Sequence, residues 1–168
     1  IQGMGLTYAT SNRGACHLRS YTVSSEILGV PEKTDPLATE GKAGLVKAFQ
    51  DATGAVDSSG LCLFTTFAWS LDDIAPQIDA ACEGDWTAER LVEVGERVWN
   101  LERMYNLQAG FTGADDTLPA RLLKDAAKTG PAEGKVSGLG EMLPEYYELR
   151  GWTAEGVPSN ETLERIAL

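Results

Sequence analysis

The chain has 168 residues, a formal net charge of −11 at pH 7 and an apolar fraction of 43%, which together describe one ordinary globular domain. The acidic balance argues against nucleic acid or acidic lipid surfaces as partners, because their phosphates would repel the chain. Three irregularly spaced cysteines, no membrane-spanning apolar run and no signal pattern predict a cytoplasmic protein in a reducing compartment.

The amino-terminal third predicts few regular elements. Gly, Thr, Ser and Asn dominate residues 1–23, which favours an ordered loop or a short extended piece. The opening Ile1, within a Gly-rich segment, is typical of a piece cut from a longer polypeptide. Residues 24–29 predict a capped helical turn ended by a glycine. A helix is expected from about Thr39 to Thr53, leading to a loop that begins at Asp57.

Stronger helical patterns follow. Ser70 is expected to cap a helix over residues 71–82, and Thr87 a long one over residues 88–108. The long helix carries an apolar stripe at intervals of three and four, formed by Leu91, Val94, Val98, Leu101 and Tyr105. Gly95 in its interior costs up to about 1 kcal/mol and suits close approach of another element.

Shorter helices complete the prediction. They are expected near residues 120–128, over residues 142–149 before Gly151, and from Asn160 behind Ser159. Few segments alternate with a period of two, so little or no sheet is expected. The predicted fold is mainly α, an irregular multi-helix domain with long ordered loops that spans residues 1–168.

The single histidine, His17, lies between Arg13 and Arg19. With an unperturbed pKa near 6.5, an imidazole can exchange a proton with a substrate oxygen at neutral pH. The alternative is a histidine that satisfies a loop carbonyl. The two guanidinium groups suit phosphate recognition, although surface ion pairing is the simpler interpretation.

Residues 57–62 combine a carboxylate, a flexible glycine and a thiol in one short segment. The carboxylate of Asp57 can accept hydrogen bonds from a heterocycle, and the thiolate of Cys62 can hold iron. One cysteine cannot build a cluster alone, because four thiolates usually hold it. A lone cysteine before an apolar run is most often part of the core. Cys16 and Cys82 are expected to be structural, as small buried hydrophobes.

The charged pairs have simpler interpretations. Asp72 and Asp73 fit a helix start, where negative charge is favoured, and Asp115 and Asp116 fit a turn before Pro119. Four charged residues of the long helix are expected on its solvated or ion-paired face; they are Glu96, Arg97, Glu102 and Arg103. No phosphate-binding loop, dinucleotide fingerprint, zinc spacing or serine-hydrolase elbow is present.

Five segments, in order along the chain, resemble the aldehyde ferredoxin oxidoreductase family of tungsten- or molybdenum-pterin enzymes. These segments are residues 8–18 (YATSNRGACHL), 57–62 (DSSGLC), 95–103 with Gly110 and Phe111 after it (GERVWNLER), 115–119 (DDTLP) and 146–152 (YYELRGW). The resemblance covers nearly the whole chain and corresponds to the carboxy-terminal helical domain of the family.

The resemblance implies an enzyme that oxidises aldehydes to carboxylic acids and passes the electrons through a 4Fe-4S cluster to ferredoxin. Two pterins hold the metal by their dithiolenes. By the same resemblance Asp57 and the backbone near Leu61 contact a pterin, Arg13 and Arg19 contribute further contacts, Cys62 is the fourth cluster ligand and His17 faces the substrate. The remaining cluster cysteines, and the other domains that act as partners, lie outside this chain.

Two functional classes follow from this resemblance. The first is the carboxy-terminal part of an active oxidoreductase with a small aldehyde substrate, possible homo-oligomerisation and both cofactors bound only in the full-length protein. The second is a non-catalytic helical assembly or binding domain derived from the family. Retention of His17, Asp57 and Cys62 favours the first, because a scaffold needs none of them.

Overall fold

The computed structural model describes all 168 residues as a packed set of seven α-helices joined by ordered loops. The helices are α1 (Gln2–Thr10), α2 (Lys42–Ser59), α3 (Leu71–Ala81), α4 (Ala88–Gln108), α5 (Ala120–Lys124), α6 (Leu139–Arg150) and α7 (Asn160–Arg165). Short 3₁₀ turns span Leu18–Ser20, Leu63–Phe67 and Gly113–Asp115, and a π-helical turn spans Ser24–Leu28. Only three isolated β-bridges occur, which confirms the predicted mainly α fold with little or no sheet.

The predicted loop at the amino terminus is wrong in its first part, because α1 occupies residues 2–10. Its polar residues are buried with partners. The backbone N–H of Gly3 donates to Glu26 Oε1 at 3.0 Å, and Thr7 Oγ1 donates to the carbonyl of Ser20 at 3.2 Å. Tertiary packing therefore outweighs the low helix propensity of this segment.

Helices α2 and α4 cross at the centre of the molecule, and glycine allows their close approach. A Cβ atom on Gly95 would lie 1.7 Å from the carbonyl oxygen of Asp51, and one on Gly54 would lie 3.1 Å from the Cα of Gly95. These backbones pack directly on each other, which confirms the close approach predicted at Gly95.

The buried face of α4 differs from the predicted apolar stripe. Leu91 is buried, but Leu101 is 57% exposed and Tyr105 is 73% exposed. The buried face instead follows Leu91, Gly95, Trp99 and Arg103 at intervals of four. Polar residues and a glycine on this face make the packing contacts. The spacing of the apolar residues therefore predicted a face that is turned away from the core.

Two hydrophobic clusters form the core. The larger joins α1, α2, α4 and α6 through residues that include Leu6, Val46, Trp99 and Tyr146. The smaller joins α2, α3 and the start of α4 through Val56, Ile74 and Leu91. The second cluster lies under the end of α2, so it supports the segment that carries Asp57.

Ion pairs hold the helices together inside the molecule. Arg150 is fully buried; its Nη1 donates to Asp51 at 2.5 Å and its Nη2 to Gln50 at 2.7 Å. Arg103 makes two hydrogen bonds to Asp116, at 2.9 and 2.7 Å. Arg165 pairs with Glu96 at 2.9 Å. Glu96 and Arg103 are therefore ion-paired as predicted, but they are buried and not solvated.

The predicted helix boundaries hold best where caps are present. Ser70 and Asp73 form a capping box at the start of α3, and Thr87 and Ser159 cap α4 and α7. Gly151 ends α6 in a left-handed conformation, with φ of 65°. None of the helices combines the length and the apolar content that crossing a lipid bilayer would require.

Candidate functional site

The candidate residues gather at the carboxy-terminal end of α2. Asp57 lies in the last turn of this helix and not in a loop, which corrects the predicted boundary. Gly60 then turns the chain with φ of 77°, a left-handed conformation that favours glycine. Beyond it Leu61 contacts the smaller core cluster and donates its backbone N–H to Ser59 Oγ at 3.3 Å. The segment is thus held rigidly on a helix end.

Arg19 and Asp57 form an ion pair between two candidate segments. The Nη1 of Arg19 hydrogen-bonds to Asp57 Oδ2, and the side chain of Arg19 is 16% exposed. Its Nε is buried without a hydrogen-bond partner. A buried donor without a partner costs about 1–3 kcal/mol, so this atom is ready for an acceptor that the chain itself does not supply.

The ion pair lines a cleft of about 200 Å³ between α2 and α4. Trp99 and Glu102 of α4 form the opposite wall. Asn12 anchors the amino-terminal loop at this cleft, since its Nδ2 donates to the carbonyl of Trp99 at 3.1 Å. The structure therefore brings the Arg19 loop and the end of α2 together, as one polar site.

Arg13 contacts Cys16 and not Asp57. Its Nε and Nη2 donate to the Cys16 sulfur at 3.2 and 3.1 Å. Burial opposes ionisation of the thiol, but these bonds, with those from the backbone of Leu18 and Arg19, outweigh it and lower the pKa of Cys16. Cys16 is half-buried, so the expected buried structural role is wrong here.

His17 is exposed, beside an aromatic row. Its ring lies 6.0 Å from that of Tyr21, and Tyr21 meets Phe67 edge-on at 6.1 Å. Phe64 stacks on Phe67 at 6.0 Å. The rings of Tyr21, Phe64 and Phe67, but not that of His17, line a cavity of about 350 Å³, hereafter the aromatic pocket, together with Leu18 and Trp69.

The sequence did not predict the aromatic pocket, which lies next to the candidate residues. Its available signal was the run of apolar residues after Cys62, in which Phe64, Phe67 and Trp69 recur at short intervals. An apolar run of this kind predicts a buried segment of the core. Phe64 is nevertheless 61% exposed and Trp69 41% exposed, because the segment forms a wall and not an interior.

The cysteines do not gather. Cys62 and Cys82 are both exposed, so the predicted burial of Cys82 is wrong: it ends α3 at the surface. No group of three or more His, Cys, Asp or Glu side chains is placed to hold a metal ion. Cys62 thus offers one exposed thiol beyond the end of α2.

Comparison with known proteins identifies relatives over the whole chain. Residues 1–168 match the family model described as aldehyde ferredoxin oxidoreductase, domains 2 and 3. The tungsten-containing aldehyde ferredoxin oxidoreductases of Pyrococcus furiosus and Pyrococcus abyssi are 48% and 47% identical, each over 99% of this chain. The chain spans 28% of the length of these relatives.

The fold also occurs among solved structures. One example is the active site complex BamBC of benzoyl coenzyme A reductase in complex with 1,5-dienoyl-CoA, which superposes with a TM-score of 0.65. The match covers 82% of this chain and 20% of that one, at 22% sequence identity. The likeness therefore concerns the fold alone.

Proposed function

The chain belongs to the aldehyde ferredoxin oxidoreductase family, and from this we propose that it forms part of a tungsten- or molybdenum-bispterin, 4Fe-4S enzyme. In the proposed reaction an aldehyde is oxidised to a carboxylic acid and ferredoxin accepts the electrons. The observation that carries the proposal is the Arg19–Asp57 pair at the end of α2. This pair holds the loop that carries His17 against the end of α2, just before Cys62.

The polar cleft fits a pterin ring. Asp57 Oδ1 makes no hydrogen bond within the chain, and Arg19 Nε is an unpartnered buried donor. A pterin carries N–H donors and ring acceptors side by side, so one carboxylate oxygen and one guanidinium N–H match its edge. We propose that these two atoms bind the pterin and that the backbone at Leu61 completes the contact.

Arg13 contributes differently from Arg19. Its guanidinium lies beside the Cys16 thiol, with Asp57 and Glu102 close enough to raise its pKa further. It thus adds positive charge at the rim of the cleft, where the phosphate of a pterin cofactor would be attracted. We place it as a secondary cofactor contact.

Cys62 can supply one of the ligands of an iron–sulfur cluster. Its thiol is exposed, and a 4Fe-4S cluster is usually held by four thiolates. The other three would come from the remaining domains of the polypeptide, which are therefore obligatory partners. When bound, the metal–pterin centre and the cluster supply acceptance and transfer of two electrons.

We propose that His17 moves the proton at the substrate. Its exposed imidazole lies on the loop that Arg19 fixes to α2, beside the aromatic row. Neutral imidazole can accept a proton, and imidazolium can donate a hydrogen bond to the aldehyde oxygen. Both roles need the ring free of internal partners, and the chain provides no hydrogen bond to it.

The test uses the full-length protein with a Cys62→Ser substitution. We expect the loss of one cluster ligand to lower bound iron below four atoms per chain and to abolish ferredoxin reduction, while the pterin content changes less. Iron, tungsten and molybdenum are measured by elemental analysis, and the pterin by fluorescence after oxidation.

Cys82→Ser is the matched control, because Cys82 is also exposed but lies at the end of α3. It should retain iron and activity. Full iron content in the Cys62→Ser variant would refute the ligand assignment. A wild-type protein without pterin, iron or aldehyde oxidation would favour the alternative, a helical assembly domain derived from the family, as would upstream domains lacking three suitably spaced cysteines.

A further inference from the structure

We propose that a groove between α1 and the segment of residues 118–137 binds an amphipathic carboxylate. The apolar chain of this ligand lies on the floor of the groove, and its carboxylate lies at Arg121 and Lys135. The groove has a volume of about 690 Å³, within the range of about 300–1,000 Å³ that is typical of small-molecule sites. It shares no lining residue with the aromatic pocket or with the cleft at Arg19 and Asp57, so this inference does not depend on the proposed function.

Helix α1 separates the groove from the loop that contains His17. Thr7 faces this loop, since its Oγ1 donates to the carbonyl of Ser20 at 3.2 Å. Gly5 faces the groove, because a Cβ atom on Gly5 would lie 2.9 Å from Ser137 Oγ. Two residues apart on an α-helix, these positions point about 200° away from each other. The groove is therefore a second site on the opposite side of α1.

The walls of the groove are fixed by hydrogen bonds without a ligand. Gln2 joins α1 to the opposite wall: its Nε2 donates to the carbonyl of Val136 at 3.0 Å, and its Oε1 accepts the N–H of Gly138 at 2.8 Å. The backbone N–H of Ser137 donates to the carbonyl of Leu122 at 2.9 Å. A ligand would therefore meet a formed groove and would pay little for ordering it.

The floor of the groove is apolar. Met4 and Leu118 are 5% and 7% exposed, and the ring of Tyr8 lies beside them, half-buried. At the rim, Leu122 is 42% exposed and Val136 is 39% exposed. An alkyl or aryl chain in the groove would remove this apolar surface from water, which favours binding.

The cations at the groove have no partner within the chain. The chain has 14 lysines and arginines, and nearly all of them donate a side-chain hydrogen bond or form an ion pair. The exceptions all lie in one short segment, and they are Arg121, Lys124, Lys128 and Lys135. Two of them, Arg121 and Lys135, line the groove. In a chain with a net charge of −11, such a group of free cations attracts an anion.

The charge of the lining favours a carboxylate over a phosphate. Arg121, Lys135 and Asp125 are the charged residues of the lining, and together they carry one net positive charge at pH 7, which a carboxylate balances. A phosphate monoester carries about −1.5 to −2 and would exceed it. A guanidinium binds a carboxylate through two parallel hydrogen bonds. Ser137 Oγ also lines the groove, buried and without a hydrogen-bond partner, so it offers a further donor.

The experiment titrates the full-length protein with decanoate and measures the Kd by isothermal calorimetry. Decanol, which has the same chain without the charge, should bind at least about 10-fold more weakly, because it makes no charge-assisted hydrogen bond. Octanoate should bind roughly 10-fold more weakly, because it buries two methylene groups fewer. Decyl phosphate should also bind more weakly than decanoate.

The double variant Arg121→Ala/Lys135→Ala should weaken decanoate binding by at least about 10-fold and leave decanol unchanged. Both residues are exposed, so the variant is expected to fold. Lys124→Ala/Lys128→Ala is the matched control. It removes the same charge from the same segment, but neither lysine lines the groove, so the Kd for decanoate should change by less than about 2-fold.

Four results would overturn the proposal. The first is no binding of decanoate by the full-length protein, which would show that another part of the polypeptide fills the groove. The second is equal affinity for decanoate and decanol, and the third is tighter binding of decyl phosphate. The fourth is an equal loss of affinity in the two double variants, which would mean that the charge of the segment acts without the groove. Each of these results would leave aldehyde oxidation, and with it the proposed function, untouched.

Discussion

Asp115 and Asp116 show how neighbouring residues of one type acquire different tasks. Asp116 is buried and accepts two hydrogen bonds from Arg103, whereas Asp115 is exposed and accepts the backbone N–H of Thr112 at 2.8 Å. We expect Asp116→Ala to lower the free energy of unfolding by about 3–5 kcal/mol, because Arg103 would stay buried without a counter-charge. Asp115→Ala should cost about 1 kcal/mol, as for other lost caps. Urea unfolding of both variants measures the difference, and equal losses would contradict it.

Glu96 makes the stability depend on pH. Burial opposes its ionisation, but hydrogen bonds from Arg165 and the charge of Lys47 outweigh it and lower the pKa of Glu96 below its ordinary value. The folded protein therefore binds fewer protons at this site than the unfolded chain. The resulting stability is complete above the unfolded pKa, near 4.3, and is lost as the pH falls through the lower folded pKa.

We therefore expect Glu96→Gln to reduce the free energy of unfolding at pH 7 by about 1.5–3 kcal/mol, the range for hydrogen bonds to charged groups. The variant should also lose less stability than the wild type between pH 5 and pH 3, since it lacks the titrating carboxyl. Urea unfolding at pH 7, 5 and 3 provides the comparison. Parallel pH profiles would show that Glu96 does not contribute to the acid dependence.

The family resemblance proposed several site residues from the sequence, whereas it did not predict their contacts. The pairing of Arg19 with Asp57 joins residues 38 positions apart, and no local pattern encodes such a distance. The contact of Arg13 with Cys16 is local, yet a cysteine three residues after an arginine is too common a spacing to be informative.

At the scale of elements, the contact between α2 and α4 depends on glycine. We expect Gly95→Ala to lower the free energy of unfolding by at least 3 kcal/mol, because the new methyl group would overlap the Asp51 carbonyl and separate the helices. Gly140→Ala is the control. It lies in the first turn of α6 with nothing within 4 Å of the new Cβ atom, so it should be neutral or stabilising by up to about 1 kcal/mol. Thermal unfolding of the two variants measures the difference in stability, and similar melting temperatures would disprove the close contact.

Helices with local signals were predicted well, and those made by packing were not. Ser70, Thr87 and Ser159 cap three helices as predicted, because a side-chain oxygen near the first N–H groups acts within a few residues. Helix α1 has no side-chain cap and begins with a glycine-rich segment. Its stability comes from distant partners such as Glu26 and Ser20, which a local pattern does not reveal.

The wrong face of α4 has a related cause. Hydrophobic periodicity assumes that apolar residues are buried, but this helix buries Gly95, Glu96 and Arg103 and exposes Leu101 and Tyr105. A glycine has no apolar side chain to signal its position, and a buried ion pair looks like a surface one in sequence. Such helices need long-range contacts to be oriented.

At the scale of the whole molecule, the 168-residue chain contains the polar cleft and only one of the four thiols that the proposed cluster needs. We expect the isolated chain to bind no stoichiometric iron or tungsten and to show no turnover. Elemental analysis of the purified chain after anaerobic reconstitution tests this. A stoichiometric metal content would refute the proposal that Cys62 needs three ligands from other domains.

The same chain exposes several large apolar side chains, among them Phe64 at 61%, Tyr105 at 73% and Phe111 at 55%. Exposed apolar surface promotes association, so we expect dimers or larger species of the isolated chain at millimolar concentration. Light scattering across a dilution series measures this, and a monomer at every concentration would contradict it.

The contact between Gly54 and Gly95 also bears on recombination between relatives. Gly54 precedes Asp57 by one turn of α2, and Trp99 follows Gly95 by one turn of α4, on the opposite wall of the cleft. The helix spacing thus sets the width of the cleft. In a chimera, α2 from one parent would meet α4 from another without a guarantee of this close contact or of the same crossing angle. If the crossover points lie outside residues 42–108, both helices come from a single parent. The two walls of the cleft then keep their relative position.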